Sequence, residues 1–389
     1  MRKLKVLEGM DVYLPDVDGV INCMHNYCLN LNDIADVTAL APRNKKDYVD
    51  QFPYKIIRCK SIHVPILNQY YGLPKLDRKL KNYIKNNDFD IIHVHSPFGI
   101  SKFALKVAKE KGIPVVATFH SNMRPIFRDV VKSKWIAERM VRKLGKRYNQ
   151  FDEVFVCSPL VAEQARSFGY TGKITYLPFG TDMPKCENVD NLANMANKSF
   201  SIQQNELIFV YVGRITKLKR IDMILQSLSI VKNRGIKFKF YVVGKGFELN
   251  KLKKITAKLG LNEDVIFTGF LPRELFPQIL ARADLLLFPS TYDNFGLVKV
   301  ECAGYEVPGV FIENSCAGYG VTDGVNGYLS KDNVSDFANK IQEAVADRKK
   351  LKEVGKNACR DLYITWKECT DVLLKRLTEI VEDNNGNKK

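Results

Sequence analysis

Short apolar runs alternate along the chain with amphipathic stretches of helical length. In the first half the runs are Leu4–Leu7, Asp36–Leu40, Tyr54–Ile57, Asp90–Val94, Pro114–Thr118, Glu153–Cys157 and Ile174–Leu177. In the second they are Leu207–Val212, Phe238–Val243, Val265–Thr268, Asp284–Phe288 and Gly309–Ile312. Between several of them lie helical patterns such as Ser101–Lys111, Ile221–Asn233 and Phe247–Leu259. Strands that read as near-continuous apolar runs belong to parallel sheets covered on both faces, and the helices between them supply the cover. Two such series predict an α/β chain of two doubly wound domains. A length of 389 residues agrees, being too long for one ordinary core. The boundary is expected in the polar, Asn-rich stretch 182–200, where no periodicity stands out. The domains are accordingly 1–182 and 201–365, followed by a helical segment over 366–383, and the tail 384–389 is expected to be disordered.

Composition narrows the class. Hydrophobic residues make up 46% and charged residues 26%, as in soluble globular proteins. No run of about 18 apolar residues occurs, so no spanning helix is expected. The first residues pass directly into a strand pattern without a signal-peptide apolar region. Nine cysteines without a C-x-x-C pair point to reduced thiols in a cytoplasmic protein, against a disulfide or zinc framework. The formal charge of +17 is the one strong deviation. It suits nucleic acid, an anionic membrane or phosphorylated substrates, and does not choose among them.

Candidate chemistry sits where strands end. After Asp284–Phe288, Asp293 stands eight positions before Glu301, with Asn294, Phe295, Gly296 and Leu297 between. Asp293 is expected on the loop and a helix from near Phe295, its first N–H groups facing back toward the strand ends as an anion site. Spacing alone equally allows a capped helix with a solvated Glu. After Leu207–Val212 come Gly213 and Arg214, then Lys219. The glycine permits close backbone approach, and two cations at a helix start suit a diphosphate, each charge-assisted bond contributing roughly 1.5–3 kcal/mol. Gly244, within Gly244-Lys245-Gly246, and Phe270, after Thr268-Gly269, follow the next two strands.

In this order the segments resemble the carboxy-terminal half of the retaining family 4 glycosyltransferases with the GT-B fold, over residues 205–330. The resemblance implies two Rossmann-like domains facing a cleft, acceptor in the first and nucleotide sugar in the second, with the 366–383 helix returning to the first. It implies that Arg214 and Lys219 meet the donor diphosphate, that Glu301 holds the ribose, and that Asp293 lies near the transferred sugar where the family usually has Glu. The amides of Phe295, Gly296 and Leu297 would meet sugar and phosphates. In the first half, Asp16-Val17-Asp18-Gly19-Val20 matches the loop where Gly19 lets backbone approach the sugar. Thr118-Phe119-His120-Ser121 matches the strand-end histidine of the reaction centre, which makes His120 the catalytic candidate beside Asp293, Arg214 and Lys219. His93 reads as core packing and His95 as an acceptor-side contact.

Residues 124–147 are strongly basic. Arg124, Arg128, Lys132, Lys134, Arg139, Arg142, Lys143, Lys146 and Arg147 stand against Asp129 and Glu138, with apolar residues at helical spacing and Trp135 beside them. A basic amphipathic helix with an aromatic fits an anionic membrane surface, and a core-facing helix with a solvated basic face fits the same pattern. Family members that glycosylate lipids insert this region into the bilayer. No motif supports nucleic-acid binding. The sequence looks most similar to the bacterial diacylglycerol glucosyltransferase branch. That implies a peripheral enzyme of the inner membrane face moving glucose or galactose from UDP-glucose or UDP-galactose to a lipid hydroxyl. No D-x-D triplet follows a strand end, so metal-independent electrostatic stabilisation of the departing UDP is expected, with no cofactor. The alternatives are a soluble sugar or polysaccharide acceptor and, in another class, a non-catalytic nucleotide-sugar-binding protein. The presence of both His120 and Gly19 favours an enzyme.

Overall fold

The computed structural model describes residues 2–16, 18–44, 48–65, 69–120 and 122–386. It divides into two compact units, one running to Phe179 and resuming at Trp366, the other spanning Gly180–Thr365.

The first unit begins with β1 (Lys5–Gly9), α1 (Gly19–Ile34), β2 (Asp36–Pro42) and β3 (Lys55–Cys59). A hairpin of β4 (Ser61–Val64) and β5 (Gln69–Gly72) follows, then α2 (Arg78–Asn86), β6 (Ile91–Val94), α3 (Gly99–Lys111) and β7 (Val115–Thr118). Next come α4 (Met123–Val131), α5 (Lys134–Tyr148), β8 (Glu153–Val156), α6 (Pro159–Ser167) and β9 (Ile174–Tyr176). Seven strands form one parallel sheet in the order β3-β2-β1-β6-β7-β8-β9. Its central strands are buried from end to end, which is why they read as unbroken apolar runs.

The second unit holds α7 (Val189–Ser199), β10 (Ile208–Val212), α8 (Ile221–Asn233), β11 (Lys239–Val243), α9 (Leu249–Lys258) and β12 (Val265–Gly269). It continues with α10 (Leu275–Arg282), β13 (Leu285–Phe288), α11 (Leu297–Ala303), β14 (Gly309–Ile312), β15 (Tyr328–Ser330), α12 (Val334–Val345) and α13 (Arg348–Leu362). Its parallel sheet has the order β12-β11-β10-β13-β14-β15. Phe209, Leu285, Leu286, Leu287 and Val310 pack with Ile224 and Leu228 of α8 and Phe337 and Ile341 of α12 in one core. Each such side chain contributes roughly 1.5–3 kcal/mol on burial.

The final helix, α14 (Trp366–Gly386), lies in the first unit. Its buried face, Trp366, Cys369, Leu373 and Leu377, covers α1, with the Trp366 and Tyr27 rings 5.4 Å apart. Arg376 closes a two-pronged ion pair on the buried Glu153, Nε to Oε1 at 2.9 Å and Nη2 to Oε2 at 2.7 Å.

Three expectations are corrected. The stretch 182–200 is not without order: α7 occupies most of it, capped by Asn188, whose Oδ1 accepts from Asn191 N at 2.9 Å. Val189, Leu192, Ala196 and Phe200 recur at helical spacing behind the asparagines and face the core. The tail is helical through Gly386, and residues 387–389 lie outside the described ones. The basic segment 124–147 is two helices rather than one: Lys132 takes φ +51 as the C-cap of α4, and Ser133 caps α5 through Ile136 N. A left-handed residue followed by a Ser cap ends one helix and starts another.

Candidate functional site

In the second unit the strand order reverses between β10 and β13. Loops leaving the carboxyl ends of these neighbours diverge and open a crevice, the usual ligand position in a doubly wound sheet. Gly213, Arg214 and the 3-10 turn Lys217–Lys219 follow β10, while Asp293, Asn294, Phe295 and Gly296 follow β13. The structure therefore brings together what the sequence holds seventy residues apart. Lys219 Nζ makes an ion pair with Asp293 Oδ1 across the reversal and lies 5.4 Å over the Phe288 ring. The other oxygen, Asp293 Oδ2, is buried without a hydrogen-bond partner. Arg214 is exposed, whereas Lys219 is only 19% exposed at its side chain.

Glycines explain how the loops meet. Gly213 and Gly244 take φ +147 and +140, and a Cβ on Gly244 would fall 2.0 Å from the Gly213 carbonyl oxygen. That contact accounts for Gly244 without any ligand. Phe270 is 72% exposed, with Lys245 Nζ 5.1 Å over its ring. Helix α11 starts at Leu297 behind Gly296 at φ +73, later than expected, and has seven residues. Its dipole is therefore that of two turns. Glu301 lies within α11. Burial, with Asp182 nearby, pushes its carboxyl up to about 7. Lys299, missed in the sequence, is buried and donates to Ala317 O at 2.9 Å and Tyr319 O at 2.5 Å, holding the 315–320 loop against the turn at Phe295. A lysine amid an apolar helix was its only signal.

The first unit has its own reversal, between β1 and β6. Gly19 opens α1, capped by Asp18 Oδ1, which accepts from Val20 N at 2.9 Å and Ile21 N at 2.8 Å. A Cβ on Gly19 would meet nothing within 4 Å. Val17 and Ser121, parts of the two matched segments, lie outside the described residues. His95 and His120 follow β6 and β7, and His95 Nδ1 is 2.9 Å from His120 Nε2. His93 is more than packing: it bridges Glu8 and Thr118 by hydrogen bonds. Glu8, an acid in the middle of an apolar strand, was not singled out in the sequence. His95 and His120 border a cavity of about 180 Å³, whose lining also includes the polar Asp11, Asp18 and Ser96 and the apolar Met123, Ile126, Leu144 and Phe168.

The basic helices divide their labour. Arg124 and Arg128 pair with Glu138 at 3.0 and 2.8 Å, and Arg147 is buried with its guanidinium donating to Pro97 O. Phe127, Ala137, Val141 and Leu144 face inward, as a core-facing helix requires. Lys132, Lys134, Arg139, Arg142, Lys143 and Lys146 are exposed, and so are Ile126, Val130, Trp135 and Ile136. Arg139 lies 5.6 Å over the Trp135 ring. Among the described residues no helix is long and apolar enough to cross a membrane.

Residues 17–184 match the model of Glycosyltransferase Family 4, and residues 195–361 match that of Glycosyl transferases group 1. The alpha-monoglucosyldiacylglycerol synthase of Streptococcus pneumoniae is 25% identical over 86% of this chain and 77% of its own. The D-inositol 3-phosphate glycosyltransferase of Nocardia farcinica is 25% identical over 67% of this chain and 57% of its own. Among solved structures, Anabaena HepE in complex with UDP superposes with a TM-score of 0.77, at 18% identity, over 97% of this chain and all of that one. With a family match on each of its two parallel sheets and a GT-B architecture along nearly its whole length, the chain belongs to the family 4 glycosyltransferases.

Proposed function

We propose that this glycosyltransferase moves a hexose, glucose or galactose, from a UDP-sugar to the hydroxyl of a lipid such as diacylglycerol, with retention at the anomeric carbon and without a metal ion. The lipid reading is carried by the cavity beside His120. Its lining joins imidazole and carboxylate groups to apolar side chains, and Ile126 belongs both to that lining and to the exposed apolar residues of α4. A ligand with a hydroxyl at one end and an acyl body at the other matches such a lining. The pneumococcal relative, an alpha-monoglucosyldiacylglycerol synthase, supports the same acceptor class.

The donor reading rests on the crevice between β10 and β13. Arg214 and Lys219 neutralise the diphosphate, and Glu301 accepts from the ribose hydroxyls. Asp293 Oδ2, lacking a partner, accepts from the transferred sugar. The UDP complex of HepE, a protein of the same fold, supports a uridine nucleotide. As the glycosidic bond lengthens, charge accumulates on the leaving phosphate, and the neighbouring cations stabilise it. The acceptor attacks from the face UDP leaves, and its proton passes to the departing phosphate.

A soluble, hydroxyl-rich acceptor is the second reading, favoured by Asp11, Asp18 and Ser96 in the cavity's lining and by the name of the Nocardia relative. The test is a hydrolysis screen of UDP-sugars with and without EDTA, followed by transfer to diacylglycerol in phosphatidylglycerol vesicles and to soluble sugars. Glucosyl or galactosyl lipid formed in EDTA is the expected product. Transfer to soluble sugars alone rejects the lipid acceptor, and dependence on added magnesium rejects the metal-free route.

A further inference from the structure

A line of hydrogen bonds runs through the first sheet to the ring of His120. Glu8 is fully buried on β1. A lone carboxylate in that position would be very unfavourable. Register sets Glu8 beside His93, and the two-residue period of β6 carries His95 to the same face. His93 Nδ1 lies 3.1 Å from Glu8 Oε1, and His95 Nε2 lies 2.8 Å from Oε2. His93 Nε2 meets Thr118 Oγ1 at 2.7 Å, and His95 Nδ1 meets His120 Nε2 at 2.9 Å.

The protons can be placed one bond at a time. An ionised carboxylate only accepts, so His95 carries a hydrogen on Nε2 and donates it to Glu8. A neutral His95 then has a bare Nδ1, which accepts, so His120 donates from Nε2. The remaining ring nitrogen of His120, Nδ1, is then an acceptor. Protonation states agree. Burial and the neighbouring His93 hold His95 down to about 4, and burial with His95 and His93 holds His120 well below the usual imidazole range. Burial would raise Glu8, but His93 and His95 outweigh it and hold its carboxyl at about 2. Around the line stand the Cys23 thiol, pushed well up by burial, and the Tyr27 ring, 6.1 Å from His95. Phe179 stacks on His120 at 5.4 Å.

The same side chains form two groups, Glu8 with His93 and His95 and Cys23 with His95 and His120, whose donor atoms lie within 4.8 Å of one another. The 2.8 and 2.9 Å contacts of His95 with Glu8 and His120 are hydrogen-bond distances.

We propose that Glu8 and His95 are positioning residues that fix His120, on the lining of the cavity, in its Nε2–H tautomer, and that the transfer reaction depends on that tautomer. The dependence rests on the reaction proposed above; the tautomer does not. Replacing Glu8 by glutamine reverses the line. With the His93–Thr118 bond kept as it is, the amide oxygen accepts from His93 and the amide nitrogen donates to His95 Nε2, which moves the proton of His95, and then that of His120, to Nδ1.

The chain has only five histidines, so long-range proton–nitrogen correlation spectra of protein labelled with ¹⁵N-histidine can be assigned by single substitution. The wild type is expected to show His95 and His120 as Nε2–H tautomers, and Glu8→Gln to show both as Nδ1–H. In the transfer assay Glu8→Gln should lose at least about tenfold in kcat, roughly the worth of one hydrogen bond, at unchanged donor KM. Glu8→Asp, which keeps the acceptor, should recover part of it. A wild-type His120 protonated on Nδ1, or a stoichiometric bound metal, overturns the proposal without any variant. Reversed tautomers with unchanged kcat overturn it too, since transfer would then not depend on the tautomer. The wild-type spectrum reads the network and the transfer assay reads the reaction, so failure of one is told apart from failure of the other.

Discussion

At the scale of single residues, the donor crevice is organised around a pair that spacing could not show. Arg214, Lys219, Asp293 and Glu301 were legible as types at strand ends, because an apolar run that stops at Gly-Arg or at Asp-Asn-Phe-Gly marks where a parallel strand delivers its chain. That Lys219 rests on Asp293 was not legible, since an ion pair across two loops depends on strand order. Glu8 escaped for a related reason: a buried acid is intelligible only once its imidazole partners are known. Replacing Arg214 by Ala should lower donor turnover by one to two orders of magnitude, the size of one or two charge-assisted bonds, with unfolding unchanged because the side chain is exposed. Lys219→Ala should cost as much turnover and also some stability, for it leaves Asp293 half-buried and unpaired. Urea titration of both variants beside steady-state kinetics checks this, and wild-type turnover in both would remove them from the site. Glu301 gives a pH signature. Its carboxyl is raised from the usual 4.5 to about 7, so between those values the folded state holds a proton the unfolded state has lost. Stability is full below 4.5 and falls as pH rises through 7, by up to about 3 kcal/mol. Glu301→Gln should therefore match the wild type at pH 4.5 and exceed it in melting temperature at pH 8, while binding donor more weakly. A melting difference that does not change with pH would contradict the buried acid.

At the scale of elements, period and length located the parallel strands, and failures came where periodicity was short or disguised. The β4–β5 hairpin was invisible because strands of four residues are too short to leave a run to read. Helix α7 was hidden by asparagines at its outward positions, and the break between α4 and α5 rests on one residue's φ. Glycines sharpen the contrast between scaffold and site. Gly145 lies in the last turn of α5, where a glycine is unfavourable in itself, yet a Cβ there would fall 1.8 Å from the Phe168 carbonyl oxygen, in the turn after α6. Gly145→Ala must push two elements apart and should destabilise by about 1–3 kcal/mol. Gly19→Ala meets open space at the first turn of α1 and should leave stability within about 0.5 kcal/mol. If backbone there approaches the transferred sugar, the same methyl group should reduce turnover sharply. Thermal melts and donor kinetics on the two variants separate the cases, and a Gly19→Ala enzyme with full activity would take that loop out of the site.

At the scale of the whole molecule, the charge of +17 becomes specific once internal ion pairs are set aside. Arg124, Arg128 and Arg147 spend their charge within the first unit, whereas Lys132, Lys134, Arg139, Arg142, Lys143 and Lys146 are exposed and enter no ion pair among the described residues. Near an anionic bilayer each exposed cation contributes about 1 kcal/mol, and the attraction falls off over a Debye length of roughly 8–10 Å at physiological salt. Ile126, Val130, Trp135 and Ile136, exposed on the same two helices, supply apolar area that neutral lipid alone could take up only weakly. Binding to phosphatidylglycerol vesicles should be tight at low salt, weak at high salt, and poor throughout with phosphatidylcholine. The chain has two tryptophans, and Trp366 is buried on the inner face of α14, so a blue shift of emission on adding vesicles reports Trp135. Changing Arg139, Arg142, Lys143 and Lys146 together to Glu should abolish both sedimentation with vesicles and the blue shift. Slow hydrolysis of the UDP-sugar should persist in that variant, because Arg214, Lys219 and Glu301 belong to the other unit. Should the wild type ignore anionic vesicles at low salt, the exposed face of α4 and α5 is ordinary solvated surface, and the soluble acceptor replaces the lipid.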